Sequence, residues 1–160
     1  MVSQNAPFVP MYDAWRARSR ELFAYDDHHA RRDAAIIDAK VLSNRKPPYS
    51  LAGGLFDALT ATDGDFFVST NAALRKASRL FQQTEGIDIH PAAAVAVDSL
   101  LQAVKTGKVA KDATVMLNIT GGGEQLFKKN KQMWYLKPAI VFPLTAKESD
   151  IIARTEALFA

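Results

Sequence analysis

The chain predicts an α/β fold: a partial, open and mainly parallel sheet with flanking helices. Three observations carry that expectation. From Phe66 onward, short apolar runs alternate with helical patterns, the order that builds a parallel sheet with helices on its faces. Residues 115–124, Val-Met-Leu-Asn-Ile-Thr-Gly-Gly-Gly-Glu, read as an apolar strand ending in a hydroxyl and three glycines. Such a run suits a strand covered on both faces. Thr120 would stand at its carboxyl end, where open α/β sheets bind ligands, with glycines leaving room beside it. Only three or four strands can be counted, and so narrow a sheet leaves an edge for a neighbour to cover.

The elements follow in order. Gln4-Asn5-Ala6-Pro7-Phe8 reads as the end of a strand, and Tyr12 to Tyr25 as a helix with Trp15, Ser19, Leu22 and Phe23 on one face. Asp26-Asp27-His28-His29 interrupts it, and residues 30–37 form a short second helix. Val41 to Tyr49 is a loop, because Pro47 and Pro48 suit neither a helix interior nor a central strand. Gly53-Gly54 opens a helix through Thr62, and Phe66-Phe67-Val68 is a buried strand. Ser69 is placed to cap a helix to Gln83 with Leu74, Ala77 and Phe81 facing inward. Thr84-Glu85-Gly86 ends that helix, and Ile87-Asp88-Ile89 is extended. Pro91 fits the first turn of a helix whose Ala92, Val95, Ala96, Ser99, Leu100 and Ala103 share a face, and Gly107 stops it. After the 115–119 strand come a polar, lysine-rich segment to Lys137, the apolar run Ala139 to Phe142, and a last helix. Thr145 and Glu148 make a capping box for it. No repeat or linker divides the chain, which reads as one α/β domain over residues 1–160, incomplete as it stands.

At 160 residues the chain can bury a real core. The net charge of +3 is slight, and basic and acidic residues are interspersed, which excludes a nucleic-acid footprint and leaves small anionic ligands in play. The absence of cysteine excludes disulfides, thiolate metal sites and a cysteine nucleophile. No apolar stretch approaches the roughly 20 residues a membrane span needs. The N-terminus lacks the regions of a signal peptide, so a cytoplasmic location and no membrane partner are expected.

His28-His29 with Asp26 and Asp27 has the residue types of a metal site, but adjacent residues should point apart and no further cluster completes a shell, so no metal is expected. His90, before Pro91, is a helix-entry residue or a ligand near the site. No serine stands in Gly-x-Ser-x-Gly and no phosphate-loop pattern occurs, which removes hydrolase and nucleotide-loop readings. Lys128, Lys129 and Lys131 read as solvated surface. Ser43-Asn44-Arg45-Lys46-Pro47-Pro48-Tyr49 is either a polar turn or a rigid mount for an amide and two cations; an arginine's planar fork suits phosphate, sulfonate or carboxylate oxygens. Asp57 and Glu85 show no partner and take no acid or base role from spacing.

Five segments in register carry more than any one of them: Gln4 to Phe8, Ser43 to Tyr49, Gly53-Gly54-Leu55-Phe56-Asp57-Ala58-Leu59, Glu85-Gly86-Ile87-Asp88-Ile89-His90-Pro91-Ala92-Ala93-Ala94, and Leu117 to Gly123. Together they resemble the C-terminal part of cysteate synthase, a relative of threonine synthase among the fold-type II pyridoxal-phosphate enzymes. The resemblance implies the C-terminal part of the large domain of that fold. It also implies pyridoxal 5'-phosphate as cofactor and a β-replacement on O-phospho-L-serine with sulfite, giving L-cysteate and phosphate. In the family this route serves coenzyme M synthesis.

Residue by residue, the resemblance gives Thr120 a hydrogen bond to the pyridine nitrogen, and Gly121 and Gly122 a close backbone passage beside the ring. A neutral hydroxyl there moderates the electron sink and favours elimination over transamination. Ser43-Asn44 matches a Gly-Asn-Pro-like loop beside the cofactor, with Ser for the glycine and Arg45 for the proline. Asn44 is therefore expected near the site, and Arg45 is expected to contact the anionic amino-acid substrate. Glu85-Gly86 and Pro91-Ala92 match signatures that pack a helix start near the site.

The departures matter as much. The family's Schiff-base lysine, its asparagine beside the ring and its phosphate cradle belong to the N-terminal half. Lys40, Lys76, Lys105 and Lys108 stand outside the lysine motif and read as solvated. The chain is expected to be inactive alone and to need a complementary N-terminal chain, whether as a split subunit or a fragment. A homo-oligomer stays open. So do a threonine synthase-like or other β-replacement enzyme and a non-catalytic module that kept the fold to bind a partner.

Overall fold

Val2–Asn5 forms strand β1 and pairs in parallel with β2, Phe66–Ser69, in the register Val2 to Phe66 through Asn5 to Ser69. This arrangement belongs to a computed structural model that describes residues 1–129 and 131–160, in two compact units, Met1–Asn130 and Lys131–Ala160. The expected α/β class holds: a small, open, parallel sheet with flanking helices.

In the first unit, alternation along the strands sends successive side chains to opposite faces. Val2 and Phe66 join Trp15 and Leu59 in one apolar cluster, with Met11, Tyr12, Leu55 and Phe56 packed around it. Those partners come from α1, Pro10–Arg16, and α3, Leu55–Ala61, which cover this face. Gln4 Oε1 accepts from the Tyr12 N–H at 2.9 Å on the same side. On the other face the Ser99 hydroxyl donates to the Ser3 hydroxyl at 2.7 Å, and Gln102 Nε2 donates to the Val68 carbonyl at 3.0 Å. Both belong to α5, Pro91–Lys105, which packs in turn on α4, Asn71–Glu85.

The buried set on α5 is wider than the expected stripe. Ala93, Ala94, Val97 and Asp98 are buried, while Ala92, Ala96 and Leu100 are half-buried. A helix covered by a sheet on one side and a helix on another has little free surface, and small side chains let both neighbours approach. The resulting core gathers Leu74, Ala77, Ile89, Ala93, Ala94, Val95 and Val97 with Ala39, and Leu42, Phe81, Leu117 and Ile119 pack against it.

Several expected elements change. The helix over 12–25 stops at Arg16, where Ala17 closes it and Arg18 turns to a positive φ of 55°. The second helix, α2, Asp27–Ile36, starts earlier because Asp26 caps it, accepting from the His29 N–H at 2.9 Å. Asp26 therefore opens a helix and interrupts none, since α1 has ended ten residues earlier. The cap of α4 is Thr70, whose hydroxyl accepts from the Ala73 N–H, rather than Ser69, which ends β2 and is buried. Gly86 closes α4 in the left-handed region, φ 74°.

The largest change concerns strands. The sequence predicts a strand over 115–119 and an extended piece over 87–89, yet among the described residues only β1 and β2 form strands. Ile89 and Gly122 make an isolated antiparallel bridge. A strand is defined by a ladder partner, and among the described residues none lies along 115–119. There Leu117 and Ile119 are half-buried, and Val115, Met116 and Asn118 are exposed, Met116 at 94 %.

The second unit contains α7, Glu148–Glu156, with Arg154 stacked over Phe142 at 5.3 Å. The expected capping box does not form: Lys147 is the cap position, so Glu148 is the first helical residue instead of the third. No helix among the described residues is long and apolar enough to cross a membrane.

Candidate functional site

The three consecutive glycines meet the residues that lead into α5. Gly121 carbonyl accepts from the His90 N–H at 3.0 Å, and Gly123 N–H donates to the Asp88 carbonyl at 2.7 Å, on either side of the Ile89 to Gly122 bridge. The short helix α6, Glu124–Lys129, follows directly. Its N-terminus is held by the Asp88 carboxylate, which accepts from the N–H of Gln125 at 3.1 Å and of Leu126 at 3.2 Å.

Each glycine answers to a different constraint. A Cβ on Gly121 would stand 3.1 Å from Nδ1 of the His90 ring. On Gly122 it would stand 2.3 Å from the Asp88 carbonyl oxygen and 2.9 Å from Ile89 Cα, both backbone atoms. Gly123 adopts φ 77°, the left-handed region, against Ile87. The turn is thus a clasp closed against residues 87–90, where a generic glycine run would be a loose loop.

Asp88 is nearly buried, and hydrogen bonds from the backbone, led by that of Gln125, hold its carboxyl below the usual aspartate range. His90 Nε2 lies 3.6 Å from Glu124, whose carboxyl is also lowered, chiefly by Lys128. Thr120, one residue before the clasp, is exposed, and its hydroxyl has no hydrogen-bond partner among the described residues. Ile119 beside it is anchored on the α4/α5 core.

The Ser43 to Tyr49 segment is placed by an amide pair, buried Asn5 and half-buried Asn71, that sequence reasoning missed. Asn5, at the carboxyl end of β1, donates from Nδ2 to the Ser69 carbonyl at 2.9 Å and to Asn71 Oδ1 at 3.1 Å. Its Oδ1 accepts from the Ala39 N–H at 3.0 Å. Asn71 accepts from the Asp38 N–H and donates to the Ile36 carbonyl. Residues 36–39 are therefore pinned to the ends of both strands, and a short 3-10 turn, Lys40–Leu42, leads to Asn44 and Arg45. The only sequence signal was Asn5 itself, polar at a position otherwise suited to a buried strand.

Asn44 Oδ1 accepts from the Lys46 N–H at 3.0 Å. Arg45 pairs with Asp27 in the first turn of α2, which also pairs with Arg31 at 2.8 Å. Asn44 and Arg45 line an open groove of about 570 Å³ with Phe8, Leu22, Phe23 and Tyr25, and Thr120 is not part of that lining. The two expected site segments share an anchor all the same, because Leu42 and Ile119 pack on the same core. Among the described residues no hydrogen bond or ion pair joins Asn44 or Arg45 to residues 120–122.

Other expectations change here. Asp57 is not without a partner: Arg20 pairs with it, and the Gly53 N–H donates to it at 2.8 Å, which together hold its carboxyl below the usual range. Lys108 pairs with Asp65 and lies over Phe67, and Lys40 donates to carbonyls at the end of α2, so neither is simply solvated. Asp26, His28 and His29 do converge, with ligand atoms within 4.8 Å of one another, because the capped start of α2 turns them together; all three are exposed.

What fold and site define is a partial α/β unit that presents an exposed threonine and a clasped glycine turn beside its helical core. No family model matches the chain. Curated relatives do, and the chain is related to the cysteate synthases as a piece corresponding to their C-terminal portion. It is 44% identical over 151 residues to cysteate synthase of Methanosarcina barkeri, covering 94% of this chain and 35% of the relative. For Methanocella paludicola the identity is 45% over 140 residues, covering 87% of this chain and 33% of the relative. For Methanospirillum hungatei it is 40% over 156 residues, covering 98% and 37%. The chain thus spans about a third of the length of the relatives it matches.

Proposed function

We propose that this chain is the C-terminal part of a pyridoxal-phosphate enzyme of the cysteate synthase type, acting with an N-terminal part that carries the Schiff-base lysine and the phosphate cradle. The observation that carries the reading is the match to cysteate synthases along 94% of this chain. The reaction proposed replaces the phosphate of O-phospho-L-serine by sulfite: the Cβ–O bond breaks, a Cβ–S bond forms, and L-cysteate and phosphate leave.

The residues present fit one wall of such a site. Thr120 offers a neutral, exposed hydroxyl suited to a ring nitrogen, and the clasp holds the backbone of Gly121 and Gly122 in a set position beside it. Bound there, the cofactor would supply an electron sink for the substrate's α-carbon. Thr120 would orient the ring without forcing a proton onto its nitrogen, and Asn44 would lie near it. Arg45 would exchange its contact with Asp27 for the substrate's phosphate or sulfite oxygens.

The test joins this chain to the N-terminal two-thirds of the Methanosarcina barkeri relative. A yellow complex that converts phosphoserine and sulfite to cysteate is expected, with neither part active alone. Thr120→Ala should weaken cofactor binding or move its absorption band. A colourless complex would instead favour a partner-binding module, and turnover of phosphohomoserine a threonine synthase-like enzyme. Size-exclusion chromatography of the complex reports whether it assembles further with itself.

Arg45→Ala should raise KM for phosphoserine or sulfite about tenfold, the loss of one charge-assisted hydrogen bond. Unchanged KM values for both would remove Arg45 from the substrate site.

A further inference from the structure

We propose that Asp88 is a positioning residue for Thr120, acting through the glycine clasp; this rests on the reading that Thr120 faces the cofactor. Asp88 holds the clasp at three points. Its carbonyl accepts from Gly123, and its two carboxylate oxygens accept separately from Gln125 and Leu126. The His90 N–H to Gly121 bond closes the other end of the turn, so Thr120 is joined to a segment fixed from both sides. The opposite wall is rigid: Ile89 lies in the core, and Pro91 begins α5. A side chain that caps the start of α6 from 37 positions earlier in the chain is not explained by the short helix alone.

The titratable groups around Asp88 are His90 and Glu124 across the clasp, and Lys128 and Lys129 along a shared groove. The carboxyl, lowered chiefly by the Gln125 N–H, has the sign of an aspartate that folding stabilises in its charged form. Its contribution is therefore complete above the ordinary aspartate pKa of about 4 and is lost as pH falls through the lower folded value.

Hydrogen exchange read by mass spectrometry or nuclear magnetic resonance tests the clasp, and the cofactor band of the joined enzyme tests the positioning. Asp88→Asn, which keeps one acceptor, and Asp88→Ala, which keeps none, should speed exchange at Gln125 and Leu126 about tenfold or more, alanine exceeding asparagine, with α5 unchanged. The same variants should weaken cofactor binding or move its absorption in that order. Should Asp88→Ala destabilise the whole chain, the unmodified protein still serves: its Gln125 and Leu126 amides should be released below pH 4, before α5. Exchange that ignores both the substitutions and acid overturns the clasp. Faster exchange with an unchanged cofactor band, while Thr120→Ala does change it, overturns the positioning role and leaves the Thr120 reading standing. If Thr120→Ala also changes nothing, that reading fails and the proposal with it.

Discussion

Asn5→Leu should cost about 2–4 kcal/mol of stability, the largest effect expected of a single substitution in this chain. Asn5 is fully buried and serves both donor and acceptor roles across three segments. Some of its partners are insured: the Ser69 carbonyl also accepts from Ala6, and Asn71 Oδ1 also accepts from Asp38. Ala39 N–H has no such reserve among the described residues. Leucine would leave it buried and unpaired, and the cost of that group exceeds the average worth of a hydrogen bond. The local signature is as informative as the total. Chemical denaturation should report the loss, and hydrogen exchange at Ala39 should approach that of exposed loops. In the joined enzyme the segment leading to Asn44 and Arg45 would be released, so KM for phosphoserine should rise. Preserved stability with Asn5→Leu would show that the amide pair does not hold the loop.

Gly122→Ala should come next, at about 1–3 kcal/mol, and should act on the site itself. The added methyl would meet two backbone atoms, the Asp88 oxygen and Ile89 Cα, that no rotamer change can move aside. The clasp must open or shift, taking Gly121 and Thr120 with it. Gly86→Ala is the matched control. Its added carbon meets nothing within 4 Å, so only the left-handed backbone at φ 74° is penalised, about 1 kcal/mol. Thermal melts should therefore rank Gly122→Ala below Gly86→Ala. In the joined enzyme Gly122→Ala should weaken cofactor binding and Gly86→Ala should not. A reversed ranking would mean that the turn yields and is no clasp.

Much of the architecture was legible because it depends on local chemistry. Pro91 at the first turn of α5, Gly86 in the left-handed region after α4 and the apolar Phe66-Phe67-Val68 run each act within a few residues, and each stands where pattern and propensity place it. The errors came where an element depends on distant partners. Tyr12 to Tyr25 is amphipathic enough for a helix, but its C-terminal half is spent elsewhere: Tyr49 donates its hydroxyl proton to the Ser19 carbonyl at 3.0 Å. Val115 to Ile119 has strand composition but no ladder partner among the described residues. The alternation of half-buried Leu117 and Ile119 with exposed Asn118 and Thr120 keeps the period of two without the hydrogen bonds.

By itself the sequence determined the α/β class, the helix starts and stops set by proline and glycine, and the kinship with cysteate synthases, which rests on motifs in register. Only the tertiary structure decided why those motifs hold together. Asp88 reaches Gln125, Asn5 reaches Ala39, and each glycine of the turn answers to a different neighbour. These are hydrogen bonds and close approaches between residues more than thirty positions apart. No periodicity along a chain encodes a contact whose partner is chosen by folding.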